Sequence, residues 1–186
     1  MIKTIIFVII FLFINSLHAS NIGSDTGLKM PRYVSIKSDE SNIRVGPSIN
    51  YPIVLKYITK NYPLLVIEEY DDWRKVIDLN DNLGWIHKSL IKGERNAVIN
   101  HNEKKIVKIY NIPGGKNIGE IHTRNVVRLD KCKVNWCFIV IEKYKGWVKK
   151  EYLWGVKKDE TFNVGYFQFI TDLYWISLNK IIKILN

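Results

Sequence analysis

The side chains best suited to nucleophilic or metal chemistry are Cys132 and Cys137, with His87, His101 and His122. A Cys–His hydrolase needs a thiolate within reach of an imidazole, with both held by a catalytic domain. Here the cysteines lie five positions apart around a turn, and the histidines fall in short strand or connecting segments. No stretch of chain is left over for a catalytic domain. The carboxylate pairs Glu68-Glu69 and Asp71-Asp72 are adjacent, as at turns and solvated edges, not spread across a cleft for acid–base work. Four histidines, one of them at position 18, are too few and too scattered for a metal cluster. The chain therefore reads as non-catalytic, with no metal and no cofactor.

The N-terminus sets the compartment. Met1-Ile2-Lys3 is a short positive start, Thr4 to Ile14 is apolar, and Asn15 to Ala19 turns polar and small. That order is a secretory signal peptide, residues 1–19, and its apolar run is too short to span a bilayer. The alternative is an uncleaved anchor. In an exported chain an even cysteine count favours a disulfide, here Cys132 to Cys137. Lys133 to Trp136 would form the hairpin loop that sets the two opposite each other on paired strands. The alternative is two reduced thiols, one packed beside Trp136. The formal charge is +10, which suits nucleic acid, but export favours anionic groups of the envelope. Ile, Lys and Asn are abundant enough that a compositional bias would also raise the lysine content. No nucleic-acid partner is expected.

The elements that position these residues come in two copies. The first reads Asn42-Ile43-Arg44-Val45-Gly46-Pro47, then Tyr51-Pro52, then Asp71-Asp72-Trp73, then Gly84-Trp85-Ile86. The second reads Val107 to Pro113, then Ile118 to Ile121, then Asn135-Trp136-Cys137, then Gly146-Trp147-Val148. Trp73 and Trp136 are 63 positions apart, and Trp85 and Trp147 are 62 apart. Two landmarks sharing one period signal a duplicated small domain. Short β-branched runs, separated by Gly-Pro, Asn-Asp and Pro-Gly-Gly turns, predict strands closing into small barrels. Lys92 to Lys105 reads as a polar linker holding at most a short strand at Ala97-Val98-Ile99.

The opening Asn-x-Arg-x-Gly-Pro segment, the Trp after an acidic turn and the closing Gly-Trp strand resemble the bacterial SH3 (SH3b) domain. The arrangement is similar to the tandem SH3 domain-containing exported proteins of alphaproteobacteria. The resemblance covers residues 30 to 156. It implies an all-β chain with SH3-like β-barrels at 30–95 and 96–156. The second copy lacks the Arg and Gly of the opening motif, which puts in doubt a ligand contact there but not the fold.

For Trp85 and Trp147, after Gly on the last strand, the barrel core is the favoured reading over a ligand groove. Trp73 and Trp136, beside the turn, suit either core or ligand surface. Tyr51 is the ligand-facing candidate of the opening loop, although it also suits a role in shaping the turn. Arg44 suits a carboxylate of a peptide ligand, or a brace on Asp71-Asp72 of its own domain. Residues 161–186 repeat apolar side chains near a helical period, from Phe162 through Leu185, with Asp172, Lys180 and Lys183 opposite. This predicts an amphipathic helical extension that lies on a membrane surface, packs on the barrels or a partner, or is a fortuitous extension. The expected function is a periplasmic or cell-envelope binding module for peptidoglycan or an envelope protein. The rivals are a protein–protein scaffold and a basic SH3-like nucleic-acid binder.

Overall fold

The computed structural model describes residues 22–165. The expected signal segment and most of the expected C-terminal helix lie outside the described residues. Of that extension, 161–165 is described and is not helical: Phe162 instead forms an antiparallel bridge with Cys132.

Fourteen strands form two sheets. The first comprises β1 (Arg32–Ile36), β2 (Ser41–Arg44), β3 (Ile53–Tyr57), β4 (Pro63–Tyr70), β5 (Trp73–Ile77), β6 (Leu83–His87) and β7 (Ile91–Lys92). The second comprises β8 (Asn96–Ile99), β9 (Ile106–Tyr110), β10 (Asn117–His122), β11 (Val126–Cys132), β12 (Trp136–Ile141), β13 (Tyr144–Lys149) and β14 (Leu153–Trp154). The first sheet runs β3-β2-β6-β5-β4-β1-β7 and the second β10-β9-β13-β12-β11-β8-β14, so the two have one topology. A single 3-10 turn, Lys88–Leu90 or Lys150–Tyr152, precedes the last strand of each. The polar stretch Lys92 to Lys105 does hold the short strand expected at Ala97-Val98-Ile99: it is β8, whose four residues are all buried and which pairs with both β11 and β14.

Each sheet curls around its own apolar core. Val34, Ile36, Ile43, Leu64, Val66, Val76 and Ile86 fill the first. Ile99, Val107, Ile109, Val127, Leu129, Ile139 and Val148 are central to the second, which also takes in Cys132 and Cys137. Units this small bury little surface, and the segments flanking the strands add cover. Residues 22–29 lie over the first unit, where Glu69 accepts hydrogen bonds from the Asp25 and Thr26 amides at 3.0 Å each. Phe162 covers the second unit by exchanging two backbone hydrogen bonds with Cys132 at 3.1 Å. Only Gly93, Glu94 and Arg95 separate the two sheets.

Candidate functional site

The closing strands show why Gly precedes Trp in both copies. Gly84 and Gly146 face inward, where a Cβ would stand 2.3 Å from Ile43 Cγ2 and 2.4 Å from Ile109 Cγ2 respectively. The carbonyls of Arg44 and Tyr110 would be almost as close, at 2.9 and 3.0 Å. Only glycine lets β6 and β13 approach β2 and β9 so closely. Ile86 and Val148, two positions on, are also core residues. Alternation along the strand therefore puts Trp85 and Trp147 on the outward face. Both are buried, at 8% and 7% exposure, but neither belongs to an apolar core. The rings are buried, as expected, but outer-face neighbours cover them and not the inner apolar clusters.

Pairing across the sheet sets those neighbours. In the first unit Glu68, Lys75, Trp85 and Arg44 lie in one row across β4, β5, β6 and β2. In the second, Lys131, Phe138, Trp147 and Tyr110 form the same row across β11, β12, β13 and β9. A register shift precedes Glu68 and Lys131 alike, which fixes the equivalence. The first row pairs Lys75 with Glu68, Lys75 Nζ lying 3.0 Å from Glu68 and 5.7 Å from the Trp85 ring centre, and ends on Arg44. The second is aromatic and cationic. Phe138 meets Trp147 edge-on at 5.4 Å, Lys131 lies 5.6 Å from the Phe138 ring and Lys133 lies 5.0 Å from the Trp147 ring.

Trp73 and Trp136 begin β5 and β12 beside these rows. Trp73 is buried and meets His87 edge-on at 5.4 Å. Trp136 is half-buried and meets Tyr110 edge-on at 5.3 Å. Arg44 does not brace Asp71-Asp72. Its guanidinium donates to the Tyr51 carbonyl at 2.7 Å, because β2 runs into the opening loop and away from the acidic turn. Asp72 pairs instead with Lys88 Nζ, whose hydrogen bond holds that carboxyl below its usual range. The Tyr51 ring lies over Gly46, where a Cβ would stand 2.7 Å from the ring, yet Tyr51 stays 46% exposed. The second unit organises its opening loop differently. The Asn111 side chain accepts from the amides of Ile112 and Lys116 at 2.9 Å, so the missing Arg and Gly are not needed there.

The β4–β5 and β11–β12 hairpins diverge most. Glu69 opposite Arg74 in the first becomes Cys132 opposite Cys137 in the second, and the two cysteines form the disulfide with Cα atoms 4.1 Å apart. The turn Asp71-Asp72 becomes Val134-Asn135. The backbone is kept, since Lys88 N donates to Asp72 O at 2.8 Å and Lys150 N to Asn135 O at 2.9 Å. Beside the second turn lies a cleft of about 560 Å³, lined by Val134, Trp136, Lys149, Glu151, Val156 and Lys158 among others. Sequence reasoning picked out Trp136 but missed the rest of this cleft. The signal was present in the replacement of an acidic turn by an apolar–amide one. Among the described residues no group of three or more His, Cys, Asp or Glu side chains could hold a metal ion.

Two tandem antiparallel units with one strand order, each closed by a Gly-Trp strand, define a duplicated SH3-like protein. Residues 37–93 and 103–155 match the bacterial SH3 domain, and the chain belongs to that family. Bacterial SH3 domains are binding domains and are generally not catalytic. No curated protein matches the chain. Among solved structures it is similar to an NlpC/P60 family protein from Bacillus cereus ATCC 10987, at 12% identity over 66% of this chain and 55% of that one, TM-score 0.30. It is similar too to NlpC2 from Trichomonas vaginalis, at 13% identity over 67% of this chain and 48% of that one, TM-score 0.30. NlpC1 from the same organism matches at 11% identity over 71% of this chain and 48% of that one, again with a TM-score of 0.30. The chain spans about half the length of these structures.

Proposed function

We propose that the chain is an exported, non-catalytic binding module of the cell envelope, with peptidoglycan or an envelope protein as its ligand. The observation that carries this reading is the cleft beside Trp136. Trp136, the apolar Val134 and Val156, and the basic Lys149 and Lys158 line it, beside Glu151, which pairs with Lys149 at 3.2 Å. Such a cleft suits an extended ligand that offers apolar faces and carboxylates, as a peptidoglycan stem does. The signal-like order of residues 1–19 supports export. No described helix is long and apolar enough to cross a membrane. The expected membrane contact of the C-terminal extension remains part of this proposal and rests on its sequence pattern alone.

A scaffold reading has its own observation. β3 is an edge strand of the first sheet, and its Ile53 and Val54 are about half exposed, as is the neighbouring Leu83. An apolar edge of this kind invites strand addition by a partner protein. Sedimentation of mature protein, residues 20–186, with purified sacculi separates the two. Retention on protein-free sacculi, reduced several-fold by Trp136→Ala, is the expected result. Protein that stays in the supernatant with sacculi but is retained by envelope proteins would favour the scaffold.

A further inference from the structure

The net charge is not shared between the two units. Residues 22–95 carry eleven Lys and Arg against ten Asp and Glu, whereas residues 96–165 carry fourteen against seven. The described chain is thus about neutral in its first half, at +1, and strongly basic in its second, at +7. A compositional bias toward lysine acts on both halves alike and does not produce this difference. About half of the difference lies position by position at the outer face. Glu68 is replaced by Lys131, Tyr70 by Lys133, and Asp71-Asp72 by Val134-Asn135, so three carboxylates of the first unit have no counterpart in the second. Over the same positions Lys75 and Arg44 give way to Phe138 and Tyr110. The exchange removes three acids, two cations and the Tyr70 ring, and adds Lys131, Lys133, Phe138 and Tyr110 on one face, while the strand order stays the same.

We propose that the second unit alone carries the ligand-binding face, and that it recognises an acidic polysaccharide, a chain of sugar rings with regularly spaced negative charges. This deepens the envelope reading above and rests on it. Trp147 is almost fully covered and serves as the floor of the site. Phe138, Tyr110 and Trp136 are half-buried around it and offer the ring surface that a sugar face can cover. Lys131 borders the row at β11, and Lys149 pairs with Trp136 across β12 and β13 at the mouth of the cleft. Lys145, exposed opposite Val140, borders the next row. Twelve of the fourteen basic residues of this half are lysines. Lysine is a mobile point charge that suits repeated carboxylates or phosphates along a polymer. Reading of base edges draws on the planar fork of arginine. The first unit, with its Glu68–Lys75 pair closing the equivalent row, serves as support.

Full-length mature protein is titrated with polygalacturonate, dextran, polyglutamate and a single-stranded oligonucleotide at two salt concentrations. Polygalacturonate is expected to bind about tenfold more tightly than polyglutamate of equal charge, and to weaken as salt rises, while dextran does not bind. Equal or tighter binding of polyglutamate or of the oligonucleotide overturns the inference, since charge alone would then suffice. The double variant Lys131→Glu with Phe138→Lys rebuilds the row of the first unit and should reduce polygalacturonate binding at least about tenfold. If that variant fails to fold, Lys131→Gln alone should still reduce it a few-fold, and unchanged binding overturns the inference. Glu68→Gln with Lys75→Gln in the first unit should leave binding within about twofold, and a loss equal to that of the second-unit variant overturns the assignment to one unit. Retention on sacculi without binding of polygalacturonate overturns this inference and leaves the envelope reading intact. Absence of both sacculus retention and polygalacturonate binding overturns this inference together with the peptidoglycan reading.

Discussion

Glu69 ties the segment before β1 to the first sheet. Its carboxylate is fully buried, and one oxygen accepts from the Thr26 hydroxyl at 2.7 Å while the other accepts from two backbone amides. Arg32 lies 2.8 Å away and Arg74 3.5 Å. Burial alone would raise its pKa, but the Thr26 and Asp25 hydrogen bonds and the Arg32 charge outweigh burial and hold it down to about 2. A folded-state pKa below the unfolded value means stability that is present above the unfolded pKa, near 4.5, and is lost as pH falls toward 2. The shift corresponds to about 3 kcal/mol. Glu69→Gln should cost a similar amount at neutral pH, release residues 22–29 to proteolysis, and flatten the stability profile between those two pH values. Urea unfolding at pH 6 and pH 3 measures it. A variant that loses stability in parallel with the wild type across that range would show that acid acts elsewhere.

At the scale of the elements, the same hairpin end is secured by two chemistries. In β4–β5 the Glu69–Arg74 contact anchors the N-terminal segment, and in β11–β12 the Cys132–Cys137 bridge sits beneath Phe162. The loop the bridge closes is short, so its entropic contribution is at or below about 3 kcal/mol. Its main effect is to hold register where β11 has already slipped by one residue before Lys131. Cys132→Ser with Cys137→Ser should leave the second unit folded but speed amide exchange at Lys133 and Phe162 well beyond that at Ile139. Unfolded, unreduced native protein should show no titratable thiol, and two thiols per chain would refute the bridge. The hairpin, the duplication and the Gly-Trp strands were legible because turn residues and a repeated period mark them directly. β8 was legible as a short strand at Ala97-Val98-Ile99, but not its pairing, since a strand this short shows no alternation and lies within a charged stretch. The outward placement of Trp85 and Trp147 was also hidden. A large apolar ring is expected inside, and only the close approach at Gly84 and Gly146 shows which face the next residue takes. The partner of Arg44 depended on where a loop returns, which no local pattern encodes.

At the scale of the whole molecule, the two units meet through a small set of contacts around a three-residue connection. Ser35 and Asn96 are buried there, with Asn96 Nδ2 donating to the Ser35 hydroxyl at 2.9 Å and that hydroxyl donating to the Glu94 carbonyl at 2.7 Å. The Tyr33 ring of β1 meets Trp154 of β14 edge-on at 5.3 Å. Arg95 joins these pieces. Its guanidinium lies 5.8 Å from the Tyr33 ring and 5.3 Å from the Phe162 ring, donates to the Gly155 carbonyl at 2.8 Å, and pairs with Glu160. One cation thus touches the first unit, the last turn of the second and the segment that covers the disulfide. A basic, ligand-facing unit held against a neutral one gains a fixed orientation only if this contact is firm. Arg95→Ala leaves the partly buried Glu160 without its counter-ion and removes the cation between two rings, a loss of about 1–3 kcal/mol after allowance for its partial exposure. Arg95→Lys keeps the charge but loses the fork that reaches Gly155 and Glu160 together, so it should recover only part of that loss. The two units are followed separately by the backbone NMR signals of the core residues Ile86 and Val148 as urea rises. In wild type one cooperative transition is expected for both. In Arg95→Ala the second unit should unfold first, at a lower urea concentration, while the first keeps its midpoint. Coincident transitions in the variant, shifted or not, would show that the coupling runs through Ser35, Asn96 and Tyr33 without Arg95.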